Sequence, residues 1–203
     1  MDSSDRHKLP PALQELLPVT LRPACVWLSC EKDDRLFTQG KKPERMFYVA
    51  RGEVVLQRLG AQGENLVLQR ARQGFVAEAS LQSSSYHCDA MVTVAGDLVS
   101  IAVEPIRQAL LADPAFAMRW MGMLNQELKR LRAQCERLSL KGVRNRLLHL
   151  IETEGQRGRL PLGAGLKSIA SELGVTHEAL YRTVAELEKQ GLLRREEGHI
   201  CVV

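Results

Sequence analysis

Residues 166–189 hold the feature that most restricts how this chain can fold, a pair of short amphipathic segments separated by a glycine. Apolar residues recur in both segments at helical spacing, so that each segment has one apolar side. They are Ile169, Leu173, Val175, Leu180 and Val184. Gly174 stands where the first segment must stop, at a position that favours a left-handed backbone. Thr176 is a good N-cap for the second segment. The pattern predicts two helices joined by a tight turn.

The second predicted helix carries side chains suited to reading base pairs. Glu178 and Arg182 lie one turn apart, where a carboxylate could accept from cytosine N4 and a guanidinium could donate to guanine O6 and N7. Lys167 is placed to meet a phosphate. The residues expected to contact DNA are Lys167, Thr176, His177, Glu178, Tyr181 and Arg182. The alternative is that Glu178 and Arg182 form an ordinary surface ion pair on a helix.

Length and composition leave a limited set of protein classes open. The 203 residues allow one large domain or two small ones, and the net charge of +4 permits a nucleic-acid partner without requiring one. No apolar window is long enough to span a bilayer, and the first residues lack an apolar signal core. The five cysteines are scattered without a CxxC pair. We therefore expect a cytoplasmic protein with reduced thiols and no membrane partner.

Short β-rich runs alternate with glycines and charged turns from about residue 20 to residue 103. The runs are Met46–Ala50, Glu53–Leu59, Leu66–Ala71, Met91–Val94 and Leu98–Val103. Their even spacing predicts an antiparallel barrel or roll. A short helix is expected before it, within residues 10–18.

A long helix is predicted to begin at Asp113-Pro114, with Asp113 as N-cap and Pro114 at the first helical position. From Ala117 onward, apolar residues follow at alternating steps of four and three, which is the heptad spacing of a parallel coiled coil between two chains. The predicted dimer interface contains Met121, Leu124, Leu128, Leu131, Cys135 and Leu138. The alternative is a helix that lies on the core of its own domain.

The rest of the chain predicts a small domain that contains the two-helix unit. Ser139 is expected to cap a helix that runs to about Glu154, and Leu160-Pro-Leu162 resembles a short edge strand. Leu192–Arg195 and His199–Val203 are expected to form a terminal hairpin. The chain is thus divided into a β-roll sensor domain with its short N-terminal helix (1–112), a dimerisation helix (113–138) and a winged helix-turn-helix domain (139–203).

This α+β order of β-roll, long helix and winged helix-turn-helix resembles the catabolite-activator and fumarate–nitrate-regulator (CRP/FNR) superfamily of bacterial transcription factors. The resemblance runs from about residue 20 to residue 203. It is most specific over Ile169–Arg182, and Arg35–Gly40 with Met46–Gly52 resemble the sensor signature. It implies a homodimer that binds a palindromic operator and contacts RNA polymerase. Glu178 and Arg182 match the family residues that read a TGA-containing half-site.

The resemblance also implies a ligand pocket in the β-roll, but its residues depart from the cyclic-nucleotide pattern. The candidates are Glu78, Ala79, Ser80, His87, Cys88, Asp89 and Leu128. Glu78 keeps the acidic position, whereas Cys88 stands at the arginine position and Asp89 at the hydroxyl position. A cyclic phosphate needs cationic and donor groups, so the pocket is expected to be degenerate and cyclic AMP is disfavoured.

Other signals for this pocket stay open at the level of sequence. His87-Cys88 invites haem or a metal only weakly, because neighbouring strand residues point to opposite faces and a metal site wants three or four ligands. Cys88 could also serve as a redox switch, or it could be a small buried apolar residue. We predict no metal site and no cofactor, and the small-molecule effector, if there is one, is unidentified.

The expected function is that of a sequence-specific transcription regulator, acting as a homodimer under the control of a signal in the β-roll. An enzyme is not expected, because HExxH, Walker and GxSxG motifs are all absent. Two alternatives remain: a redox- or haem-sensing regulator of the same family, and a ligand-binding adaptor whose winged helix contacts protein.

Overall fold

The computed structural model describes residues 8–61, 65–162 and 165–203, and the chain forms two compact units, Met1–Gly122 and Met123–Val203. The first unit begins with helix α1 (Pro11–Leu16) and a 3₁₀ turn at Val19–Ala24. Its strands are β1 (Cys25–Cys30), β2 (Arg35–Phe37), β3 (Arg45–Val49), β4 (Glu53–Leu59), β5 (Asn65–Ala71), β6 (Gly74–Val76), β7 (Asp89–Val94) and β8 (Gly96–Ala102). Helix α2 (Val103–Ala112) follows.

The strands of the first unit form two four-stranded antiparallel sheets, in the orders β1-β8-β3-β6 and β2-β7-β4-β5. Both sheets contribute fully buried apolar side chains, and the residues Met46–Val49 of β3 are buried at consecutive positions, so that both faces of this strand are covered. Examples are Met46, Val49, Val99 and Ile101 in the first sheet, and Val54 and Val92 in the second. This is the antiparallel roll that the glycine-punctuated runs predicted, and the predicted α+β fold class is confirmed.

All five predicted runs are strands of this roll, but the sequence pattern missed several elements. The structure adds β1, β2 and β6 to the predicted strands, and it adds α2. The predicted run Leu98–Val103 is one residue too long at its end, since Val103 is the first residue of α2. Pro105 does not prevent this helix because it lies in the first turn, where no amide hydrogen is needed.

Helix α3 (Pro114–Ser139) is the long helix expected from the heptad pattern. Its predicted N-cap is present, since the backbone amide of Phe116 donates to Asp113 Oδ1 at 3.0 Å. Phe116 and Trp120 are buried within the first unit, and the Trp120 ring meets Phe75 edge-on at 5.3 Å between centroids. Aromatic burial therefore fixes the start of α3 to the β-roll.

The second unit contains the rest of α3 and a small winged domain. Its further helices are α4 (Val143–Glu154), α5 (Leu166–Glu172) and α6 (His177–Lys189). Its strands β9 (Arg159–Pro161), β10 (Leu193–Glu196) and β11 (His199–Val202) form an antiparallel sheet in the order β10-β11-β9. Pro161 thus lies on an edge strand, as expected, and the terminal hairpin is confirmed.

The predicted cap of α4 is wrong. Ser139 is the last residue of α3, where its hydroxyl donates to the carbonyl of Cys135 at 3.0 Å. Helix α4 instead begins after Gly142, whose φ of +81° turns the chain. A serine hydroxyl can bond back to the carbonyl four residues earlier, and this local bond competes with a capping role. The division at residues 112 and 138 stays a prediction, since the compact units meet within α3.

Candidate nucleic-acid interface

A sharp turn holds α5 and α6 in the helix-turn-helix arrangement. Gly174 has a φ of +63°, the left-handed conformation expected at the end of the first helix. The Val175 amide donates to the Ala170 carbonyl at 3.0 Å and closes the turn. Thr176 then caps α6, because its Oγ1 accepts from the Ala179 amide at 3.2 Å. The backbone geometry therefore fixes where the first turn of α6 points.

The apolar side of α6 is buried in the core of the second unit, and its opposite side is exposed. Leu180, Val184 and Leu187 are each at most 1% exposed. Glu178, Tyr181 and Arg182 are exposed, and His177 is half-buried. The rings of His177 and Tyr181 meet edge-on at 4.3 Å between centroids, which restricts both side chains. The residues predicted to read DNA thus come together on the exposed first turns of α6.

The Glu178 carboxylate is prepared to act as an acceptor. Its pKa lies below the ordinary value because it accepts from its own backbone amide and from the Thr176 hydroxyl, with a smaller contribution from His177. Amides at a helix N-terminus favour negative charge in the first turn. Glu178 is therefore ionised at neutral pH, the state in which it can accept from cytosine N4.

Glu178 and Arg182 do not neutralise each other. Among the ion pairs formed by residues 8–61, 65–162 and 165–203, none joins these two side chains. The alternative of an ordinary surface pair therefore finds no support in the geometry. Both side chains remain available to a partner outside the chain.

Lys167 lies in the first turn of α5 and is exposed, where a phosphate could reach it. Several arginines near the unit have other partners. Arg146 donates to the carbonyls of Leu140 and Leu173, each at 2.9 Å. Arg195 of the wing pairs with Glu188 of α6 at 2.7 Å, and this carboxylate raises the pKa of Arg195 above its ordinary value. Arg146 and Arg195 are thus engaged by groups of the chain itself, and we do not count them among the expected DNA contacts.

The predicted dimer seam on α3 is exposed in the single chain. Met121, Leu124, Leu128, Leu131 and Leu138 are between 37% and 49% exposed, and Cys135 is exposed as well. Large apolar side chains at heptad spacing are costly to leave in water, because each buried CH₂ group contributes about 0.8 kcal/mol. The exposure weighs against the alternative of a helix that lies on its own core.

The predicted pocket residues of the first unit lie on two neighbouring segments. Glu78, Ala79 and Ser80 form a 3₁₀ turn that follows Ala77, whose φ is +76°. Ser80 Oγ lies 3.4 Å from His87 Nδ1 and joins the segments. Asp89 Oδ1 accepts from the Gln39 amide at 2.7 Å. The remaining candidate, Leu128, lies on α3 in the second unit.

The surroundings of Cys88 disfavour negative charge. Its side chain is buried with 0% exposure, and burial raises the pKa of its thiol to about 11, with a further contribution from Asp89 that Arg58 partly offsets. The site that destabilises a thiolate would also destabilise a cyclic phosphate, which is an anion. Cys88 and Asp89, at the expected phosphate positions, supply no cationic side chain for such an anion. They do not favour a reactive thiol either, since reactivity needs the thiolate.

Among the described side chains, no three His, Cys, Asp or Glu residues group in a way that could hold a metal ion. No helix in the described ranges is long and apolar enough to cross a membrane.

One polar cluster near the helix-turn-helix was missed at the level of sequence. Arg137 of α3 is completely buried and pairs with Glu154 and Glu172. Arg137 and the exposed Arg132 both lie outside the a and d positions of the heptad pattern, which therefore does not mark Arg137 as buried. Only the positions of α4 and α5 in space reveal the difference.

A β-roll, a long helix with an exposed apolar seam and a winged helix-turn-helix together define a DNA-binding transcription regulator. The model of the cyclic nucleotide-binding domain matches residues 27–113, and that of the Crp-like helix-turn-helix domain matches residues 143–203. The chain belongs to the CRP/FNR superfamily, whose members are transcription regulators rather than enzymes, bind DNA and typically dimerise.

Individual relatives agree with this assignment. The global nitrogen regulator of Nostoc sp. is 23% identical over 186 residues, which cover 85% of this chain and 82% of that protein. The transcriptional regulator SdrP of Thermus thermophilus is 28% identical, covering 77% of this chain and 78% of that protein. The structure of FixK2 from Bradyrhizobium japonicum has the same fold, with a TM-score of 0.71 and 20% identity over 88% of this chain and 92% of that one.

Proposed function

We propose that the chain acts as a homodimer that reads a palindromic operator with the first turns of α6. The observation that carries this proposal is the pair of Glu178 and Arg182, which are exposed beside the Thr176 cap and are not joined to each other. An ionised carboxylate and a guanidinium at this spacing suit a C·G step and its neighbour in the major groove. Lys167 adds a phosphate contact that sets the register.

The exposed seam of α3 supports the dimer. A parallel coiled coil would bury Leu124, Leu128 and Leu131 against the same residues of a second chain. Two recognition helices would then lie in successive major grooves about one helical turn, about 34 Å, apart. An inverted repeat in the operator follows from the two-fold symmetry of the protein. Contacts with RNA polymerase would be made from the bound dimer.

The β-roll is proposed to carry the control signal. A ligand could change DNA binding only if it bound one arrangement of the dimer more tightly than another. The buried thiol of Cys88 and the carboxylate of Asp89 argue for an uncharged or cationic effector over a cyclic nucleotide. The proposed signal is not haem. His87 is exposed and Cys88 is buried, so the two side chains do not converge on one ligand position. An absorption spectrum of the purified protein tests haem directly.

Selection from a randomised duplex library tests the DNA-binding proposal. The purified protein should enrich an inverted repeat with TGA-containing halves, and fluorescence anisotropy should then measure its affinity at several salt concentrations. A preference for the selected repeat that persists as salt rises supports sequence reading, because non-specific binding depends mainly on phosphate contacts. Weak binding that ignores sequence would instead favour an adaptor whose winged helix contacts protein.

A further inference from the structure

The completely buried Arg137 is the largest fully buried side chain among the described residues. It lies on α3 between Cys135 and Leu138 of the seam. Two residues along a helix correspond to a rotation of about 200°, so Arg137 points away from Cys135 and toward the winged domain. A buried guanidinium needs several acceptors, because its charge cannot be lost at any ordinary pH.

The acceptors of Arg137 come from the ends of two different helices. Its Nη2 donates to the Glu154 carboxylate at the end of α4 and to Thr153 Oγ1 at 3.3 Å. Its Nη1 pairs with Glu172 Oε1 at 3.5 Å, at the end of α5. One planar group thus joins the dimer helix to the helix that precedes the wing and to the first helix of the helix-turn-helix.

The apolar core of the second unit takes no part in this connection, although Leu138 of α3 approaches Gly174. The described core of the second unit runs from Leu147 to Ile200, and none of its buried or partly buried members belongs to α3. Glu136 Oε2 of α3 lies 3.5 Å from His149 Nε2 of α4. The Glu136 side chain is 69% exposed, and the two residues form an ion pair only if the histidine is protonated. Arg137 is therefore the buried polar link between α3 and the domain that carries α6.

We infer that Arg137 is a positioning residue that fixes the angle between the dimer helix and the helix-turn-helix, and so sets the half-site spacing that the dimer accepts. This inference rests on the proposed function. Both recognition helices must fit their grooves at once. A small rotation of the winged domain about the Arg137 bridge would displace α6 by a larger distance, because α6 lies away from the bridge. A buried ion pair contributes little to stability compared with an apolar replacement, so geometry is the better account of its role.

The test measures affinity against half-site spacing by fluorescence anisotropy. The probes are the inverted repeat selected by the wild-type protein, the same repeat with its spacer changed by one or two base pairs, and a duplex that holds a single half-site. Wild-type affinity should fall by about tenfold or more when the spacing changes, because the second half-site is lost. For the Arg137→Met variant, the same change of spacing should lower the affinity by only about threefold. Its affinity for the single half-site should equal that of the wild type.

Two further variants and the wild type make the outcomes distinguishable. Arg132→Met removes the same charge from an exposed position on α3 and should keep the sharp spacing optimum. Arg137→Lys keeps the charge but cannot span both carboxylates, so it should give an intermediate profile and serves if Arg137→Met does not fold. Equal losses on the single half-site and the full repeat, or an unchanged optimum, would overturn the inference. A wild-type protein without any spacing optimum would overturn the proposed function instead.

Discussion

Arg182 and Glu178 offer opposite charges to a partner while lying one helical turn apart. Arg182→Ala should weaken binding to the selected repeat by about 1–3 kcal/mol and relax the preference at one base pair, because the bidentate contact to guanine is lost. Anisotropy titrations with duplexes that differ at that pair measure the effect. Lys189→Ala, an exposed charge at the end of α6, is the matched control and should leave base preference unchanged. An equal loss on every sequence would make Arg182 a phosphate contact.

Cys88 differs from a redox-sensing cysteine in both exposure and ionisation. Its thiol is buried and its pKa is raised to about 11, so the thiolate fraction at neutral pH is minute. We predict that an alkylating reagent modifies Cys88 only after unfolding, as measured by mass spectrometry of labelled peptides. Cys88→Ala should keep the wild-type response of DNA binding to peroxide. Rapid native labelling would restore the redox-switch hypothesis.

The same thiol makes stability depend on pH in a defined direction. The pKa of Cys88 is higher in the folded state than the ordinary value of 9.0. Between these two values the folded state binds more protons than the unfolded state, so the free energy of unfolding falls as pH rises. The contribution is fully present below pH 9.0 and is lost as pH passes about 11. Cys88→Ala should remove this part of the alkaline decline in a denaturant titration.

At the scale of the element, the start of α6 depends on one hydroxyl. Thr176→Ala should reduce the free energy of unfolding by about 1 kcal/mol, because the Ala179 amide loses its side-chain acceptor. Thr176→Ser keeps that acceptor and should stay close to wild type. Urea denaturation followed by circular dichroism compares the three proteins. Equal stability of the alanine and serine variants would show that the cap contributes nothing.

Elements marked by local chemistry could be predicted from the sequence. Asp113, Gly174 and Thr176 each act within a few residues of their own position, and the structure has all three where the pattern indicated. The heptad spacing similarly defined α3. Local rules failed where a residue had two options, as at Ser139, whose hydroxyl bonds backward along α3 rather than forward to α4.

Contacts between distant segments could not be predicted. Glu53 is 3% exposed and pairs with Arg70 on the neighbouring strand and with Arg72 just after that strand, while Thr93 donates to it at 2.8 Å. In the sequence, each of these polar residues would pass for a solvent-exposed position. The Arg137 bridge has the same origin, since its partners are up to 35 residues away in the chain. Such clusters become visible only when strand register and helix packing are known.

At the scale of the whole molecule, the seam of α3 determines whether two chains can act together. Leu124→Asp should yield monomers, because two like charges would face each other within the apolar seam. Sedimentation velocity measures the change, and binding to the inverted repeat should fall toward that of a single half-site. Gln126→Asp places the same carboxylate on the exposed face of α3 opposite the seam and should leave the dimer intact. A dimeric Leu124→Asp protein would contradict the coiled-coil arrangement.

Cys135 tests the direction of the two helices independently of stability. In a parallel dimer in register, the two copies of Cys135 lie at the same level of the seam, within the Cα separation of about 7 Å that a disulfide tolerates. Oxidation with copper–phenanthroline should therefore join two wild-type chains, as seen on a non-reducing gel. Cys135→Ser should abolish the cross-link, whereas Cys30→Ser should not, because Cys30 is buried in the β-roll.

Antiparallel α3 helices would separate the thiols unless the helices crossed at Cys135. A cross-link that forms only at high protein concentration would also indicate random collision instead of a seam. A concentration-independent link that also preserves operator binding would show that the joined form is the one that reads DNA.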